Sequence, residues 1–167
     1  MTDPVRSRTY SWDDPMITAA GSRSMSGLNF LRAMIAGEYP PPPIARMLGM
    51  YLTEIEAGRA VFTITPREDM YNPIGVVHGG IAMTILDSAM GCAVMSMLPE
   101  GLAYTTVDAN IHLTRAISFQ TGELRAIAES VHTGRRLATA QAKLVDAAGK
   151  LYAHATTTCM VFPIEAP

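Results

Sequence analysis

Gly79-Gly80-Ile81-Ala82-Met83-Thr84-Ile85-Leu86-Asp87-Ser88-Ala89-Met90-Gly91-Cys92-Ala93-Val94-Met95-Ser96-Met97-Leu98-Pro99 is the stretch whose reading decides the fold. Two glycines open it and a proline closes it, which brackets a helix over residues 79–98. Its apolar residues fall on every face, so neighbouring structure must wrap that helix on nearly all sides. One formal charge, Asp87, sits in the middle. With that carboxylate and so many Gly, Ala and Ser residues, the run from 81 to 98 reads as a buried core helix and not as a membrane span.

Strand patterns lie on both sides of it. Upstream, residues 47–56 and 59–65 form a hairpin that turns at Ala57 and Gly58 and is ended by Pro66. Downstream, Thr105, Val107, Ala109, Ile111 and Leu113 alternate with Thr106, Asp108, Asn110, His112 and Thr114, a two-residue period. Residues 123–131, 137–145 and 151–162 continue the pattern, with turns at Gly134 and at 147–150. No internal repeat is visible. One long helix after an opening hairpin, then four strands in succession, predicts an α+β arrangement: an antiparallel sheet curled around a helix.

The 167 residues suit one such domain with a tail. Residues 1 to about 27 are rich in Ser, Arg, Asp and Pro, carry the single Trp12, and are expected to bury little. Leu28, Leu31, Ala33, Met34 and Ile35 then make a short amphipathic helix. Gly37 and Pro40 to Pro43 stop it and force an extended link, placing a lid or brace against the body. The expected division is a tail over 1–44, the sheet-and-helix domain over 45–162 and a short C-terminal tail over 163–167. The net charge of -2 lacks the basic face that nucleic acid or an anionic membrane would need. The first 14 residues lack the apolar run of a secretion signal. Cys92 and Cys159 have neither metal-ligand spacing nor disulfide density, so reduced thiols and a cytoplasmic location are expected.

An isolated carboxylate on an apolar helix costs several kcal/mol unless it is paired or used. Desolvation is expected to raise the pKa of Asp87, as suits a base or a nucleophile near neutral pH. The competing reading ties it to backbone amides or to an arginine of a neighbouring strand. Just upstream, Tyr71-Asn72-Pro73-Ile74-Gly75-Val76-Val77-His78-Gly79-Gly80 is a turn-rich loop ending at the helix start. Free amides there can hold a developing negative oxygen, as acyl transfer requires, although two glycines also mark a tight turn. From His78 to Asp87 is nine residues, about 13 Å along the axis and half a turn out of phase. They cannot grip the same carbonyl. If both serve one reaction, the amides of one chain must face the carboxylate of another, across a two-fold dimer interface.

The run from Asn72 through His78-Gly79-Gly80 to Asp87, together with Thr105-Thr106-Val107-Asp108-Ala109-Asn110 and Gly134-Arg135-Arg136, resembles the hotdog-fold thioesterases of the PaaI type, named for the phenylacetate pathway. The resemblance covers roughly residues 45 to 162. It implies a hotdog fold and acyl-CoA thioester hydrolysis, with Asp87 as general base or nucleophile and the Gly79 amide as oxyanion donor. Asn72 and His78 become positioning groups, and Thr106 helps to hold the water. Gly80 joins the substrate-binding amides, and Arg135 and Arg136 meet the phosphates of CoA, for which guanidinium groups are suited. Two solvated charges on a hairpin remain the alternative for that pair. No metal or other cofactor is expected, CoA being part of the substrate. His112, His132 and His154 read as structural or exposed histidines. Met83, Met90, Met95 and Met97 read as flexible core filling, with an adaptable acyl tunnel as the alternative. A non-catalytic acyl-CoA-binding hotdog module and a hydratase or dehydratase on this fold are the competing functions. A shared-site homodimer, paired into a tetramer, is the expected assembly.

Overall fold

A computed structural model describes residues 5–164. Residues 1–4 of the expected N-terminal tail and 165–167 of the C-terminal one lie outside that range. Four helices and six strands are found among the described residues: α1 (Pro15–Gly21), α2 (Gly27–Ile35), α3 (Pro43–Leu48), β1 (Met50–Glu56), β2 (Arg59–Ile64), α4 (Gly79–Met95), β3 (Leu102–Leu113), β4 (Leu124–Thr133), β5 (Leu137–Asp146) and β6 (Leu151–Pro163). The strands form one antiparallel sheet in the order β1-β2-β4-β5-β6-β3, leaving β1 and β3 as its edges. The sheet wraps α4, which packs against all six strands. This is the hotdog fold.

Small residues make the wrapping possible. The helix-facing positions of the middle strands are mostly alanine: Ala126 and Ala128 on β4, Ala138, Ala140 and Ala142 on β5, Ala153 and Ala155 on β6. Alanine is a poor strand former, but here it lets the sheet close around Ile85, Leu86, Ala89, Met90, Ala93 and Val94, all fully buried. No helix among the described residues is long and apolar enough to cross a membrane.

Four expectations are corrected. The central helix stops at Met95, so Met97 is not in it: the Ser96 hydroxyl donates to Ala93 O (2.7 Å) and accepts the Gly58 N–H (2.8 Å), tying the helix end to the β1–β2 turn. Strand β1 starts at Met50 and not at 47, because Pro43 nucleates α3 and Gly49, at φ 66°, ends it. The segment before residue 28 contains α1, capped by the Asp14 carboxylate on Met16 N–H, and its Gly21 and Gly27 are buried. Finally, α4 is not wrapped on nearly all sides. Gly80 is exposed, and Thr84, Asp87 and Ser88 are only half-buried. These residues share one stripe, which looks out between the two sheet edges.

Candidate functional site

The loop ahead of α4 is held by its own polar groups. The Asn72 Oδ1 accepts the N–H groups of Ile74 (3.1 Å) and Val76 (3.3 Å), while Asn72 N–H donates to Val76 O (2.8 Å). Gly75 turns the chain at φ 79°, a conformation that side chains disfavour. Val77 N–H then donates to Ile117 O and His78 N–H to Met70 O, which fixes where the helix begins. His78 is the N-cap, its Nδ1 accepting Gly80 N–H at 2.9 Å. That bond places the ring proton of the neutral imidazole on Nε2. A side chain at position 80 would put its Cβ 2.9 Å from Nδ1, so the glycine makes room for the capping ring. The cap also uses the Gly80 amide. Gly79 N–H makes no hydrogen bond among the described residues. The residue lines a cavity of about 350 Å³ bordered also by Asn72, His78, Leu113 and Arg115. Arg115 escaped the reading of the sequence, because it sits in an irregular segment after β3 with no motif around it.

Two turns up α4, Asp87 accepts a hydrogen bond from Thr106 Oγ1 at 3.0 Å. No arginine and no backbone amide pairs with it among the described residues, so the competing structural reading has no partner to offer. It is also half-buried and not fully enclosed as its position on an apolar helix suggested. Thr106 reaches it by an irregularity: the β3–β6 register shifts between Thr106 and Asp108. This bulge absorbs Val107, 56% exposed, so that Thr106 joins Ala109 and Ile111 toward the helix side. The uninterrupted alternation read from residues 105–114 placed Thr106 on the opposite face from Ala109, and the bulge corrects it.

Beyond Asp87 on the same helix, Ser88 and Cys92 border an apolar cavity of about 220 Å³, with Tyr104 of β3 opposite. Cys92 keeps some surface because it faces that cavity, yet burial, reinforced by the Asp87 charge, pushes its thiol up to about 12. Burial likewise raises the Tyr104 hydroxyl well above its ordinary value, with Cys92, Cys159 and Asp87 adding to it. Asp87 therefore lies close enough to be felt at this cavity.

The expected residues thus fall into three groups. Asn72, His78, Gly79 and Gly80 cluster at the helix start, and Asp87 and Thr106 meet about 12 Å further along its axis. Arg135 and Arg136 are exposed on the β4–β5 turn and make no ion pair among the described residues. Strand β5 starts beside Met160 of β6, itself opposite Thr105, so that turn lies two strands from Thr106, about 10 Å away. His112 and His154 are exposed and stack at 4.8 Å across β3 and β6; His132 is exposed. The described residues contain no group of three potential metal ligands.

Comparison with known proteins bears on this arrangement. The profile of the thioesterase superfamily matches residues 74–153. A 1,4-dihydroxy-2-naphthoyl-CoA hydrolase of Listeria monocytogenes is 29% identical over 106 residues, 62% of this chain and 83% of that protein. A protein of Mycobacterium tuberculosis named as an esterase is 31% identical over 97 residues, 56% of this chain and 68% of its own. Among solved structures, one described as a phenylacetic acid degradation-related thioesterase, from Ralstonia eutropha JMP134, superposes with a TM-score of 0.71 at 30% identity, covering 78% of this chain and 98% of that one. With its helix-wrapping sheet, its profile match and relatives at this identity and coverage, the chain belongs to the thioesterase superfamily.

Proposed function

We propose that this chain is an acyl-CoA thioester hydrolase of the PaaI type, with Asp87 as general base. One observation carries the reading: a half-exposed carboxylate whose only partner among the described residues is a threonine hydroxyl, on a helix whose first amide makes no hydrogen bond among them. Thr106 orients the carboxylate and helps to hold a water. That water attacks the thioester carbonyl carbon as Asp87 takes its proton, and the resulting oxyanion is held by a Gly79 N–H. The C–S bond then breaks. CoA leaves as a thiolate, which recovers a proton, and the free carboxylic acid remains. A thiolate leaves readily, so no strong general acid is required.

The Gly79 amide serving each Asp87 comes from Gly79 of the partner subunit, since the two are about 12 Å apart within one helix. The exposed edge of β3, with Val107 and Leu113 uncovered, is the surface we assign to that two-fold contact, and pairs of such dimers would give a tetramer. Arg135 and Arg136 meet the CoA phosphates, and Asn72 and His78 hold the amide loop in shape. The test is Asp87→Asn assayed on a panel of acyl-CoAs with free-thiol detection. Turnover is expected to fall about 10²- to 10⁴-fold with the fold and oligomer retained. Unchanged turnover would remove Asp87 from the mechanism.

A further inference from the structure

The acyl half of the substrate has no place assigned so far, and the 220 Å³ cavity beside Asp87 is the candidate. Its floor is Ser88 and Cys92, one and five residues beyond the carboxylate on α4. Its outer wall comes from the N-terminal arm: Met34 from α2, and Tyr39, Pro41 and Pro42 from the link to α3. None of that wall lies within residues 74–153, the part matched by the superfamily profile.

The arm is seated by contacts that need particular residues. Gly27 N–H donates to Leu98 O (3.0 Å), and a Cβ at position 27 would lie 1.9 Å from Met95 O, so α2 can approach the end of α4 only as glycine. Gly21 lies under the Tyr39 ring, where a Cβ would come within 2.2 Å of Cε1. Thr18 Oγ1 donates to Pro40 O at 2.7 Å, and Phe30 packs on the other part of the Tyr39 ring, centroids 5.5 Å apart. Helix α1 thus buttresses the segment that closes the cavity. Two consecutive prolines in the wall have fixed φ and little freedom to retreat.

We infer that the N-terminal arm is the size and polarity filter of this enzyme, closing a pocket that takes an uncharged, apolar acyl group somewhat larger than a phenyl ring. An apolar cavity of about 150 Å³ accommodates benzene, so about 220 Å³ holds a ring with its linking carbons or a medium-length chain. Among the described residues no charged side chain lines the pocket, and a dicarboxylic acyl group would bury an unpaired carboxylate there. The inference rests on the hydrolase reading and adds the substrate class to it.

The experiment compares kcat/KM for acetyl-, succinyl-, hexanoyl-, phenylacetyl- and palmitoyl-CoA in the wild type, Cys92→Phe and Tyr39→Ala. The wild type is expected to prefer hexanoyl- and phenylacetyl-CoA over acetyl- and succinyl-CoA by tenfold or more. Relative to acetyl-CoA, Cys92→Phe should lose tenfold or more on those two, and Tyr39→Ala should raise palmitoyl-CoA relative to hexanoyl-CoA. Hydrolysis with the same acyl profile in all three proteins would overturn the filter and leave the hydrolase reading standing. A wild type inactive on every thioester would overturn the hydrolase reading instead. Calorimetry with the uncharged 2-naphthylacetamide would then decide the pocket: binding weakened tenfold by Cys92→Phe supports it, and binding absent or unaffected refutes it.

Discussion

A site split between subunits can be tested by combining two dead chains. In Gly79→Pro the first helical residue loses its N–H while the helix is preserved, because proline suits that position. The nearest obstacle to the added ring carbon is Leu113 Cδ1, 2.6 Å from a Cβ built there and the far end of a flexible side chain. Removing an oxyanion donor costs about 10²- to 10³-fold, and removing the base in Asp87→Asn about 10²- to 10⁴-fold. The separation decides the outcome of mixing them. Eight residues of α4 span about 12 Å, whereas a donor must come within about 3 Å of the oxyanion beside the carbonyl that the base's water attacks. In a heterodimer of the two variants, one site holds both lesions and the other holds neither. Purified through two different affinity tags, that heterodimer should turn over at half the wild-type rate per dimer, at least about 50-fold above either parent homodimer. A heterodimer no more active than its parents would show that base and oxyanion donor belong to one chain, and the reasoning from helix geometry would fail.

Thr106→Val should lower kcat by about 10- to 150-fold, the worth of a hydrogen bond to a charged group of about 1.5–3 kcal/mol, while Thr106→Ser retains most of it. Kinetics with parallel thermal melts check this, and a Thr106→Val enzyme within threefold of wild type would exclude the hydroxyl from the reaction. Glu54 lies between Arg59, at 3.0 Å, and Arg125, and the hydrogen bond from Arg59 holds its carboxyl below the usual value of 4.5 against the opposing effect of burial. A lowered folded pKa gives stability that is present above 4.5 and lost as pH falls through the folded value. Because the pair is only half-buried and solvent screens it, the contribution is below about 1 kcal/mol. Glu54→Gln should therefore melt slightly earlier at neutral pH and alongside wild type near pH 3; an equal gap at both would show that the ion pairs are not its cause.

What could be read in advance followed local signals. The helix start was visible because two glycines stand at it and a proline follows its end, and Asp87 because it is the one formal charge in an apolar run, where a carboxylate must be paired or used. The facing of Thr106 was not visible. A bulge adds a residue to one strand against its partner, and Thr105-Thr106-Val107 are all good strand formers that leave no mark where the extra residue enters. Helix α1 was missed for a different reason: its residues show no apolar stripe, with Met16 and Ile17 exposed, and its value lies in Gly21 meeting Tyr39, a contact between segments 18 residues apart. The half-open face of α4 was missed because apolar residues all around a helix imply a full wrapping. Only the strand order shows that β1 and β3 end the sheet on either side of Thr84, Asp87 and Ser88.

That open stripe explains why one helix can carry both the base and the oxyanion donor of the proposed reaction. Its remaining faces are locked: Ile85, Leu86, Ala89, Met90, Ala93 and Val94 are fully buried against the sheet, so the helix cannot turn about its axis without emptying the core. The amide at its start, the carboxylate two turns on and the cavity floor beyond are therefore held at fixed spacing along one rigid rod. Rigidity excludes any motion within a chain that would bring Gly79 to its own Asp87. It leaves the proposed subunit contact as the one adjustable element, so a substitution on the β3 edge that separates the subunits should abolish turnover while every residue of the site keeps its place.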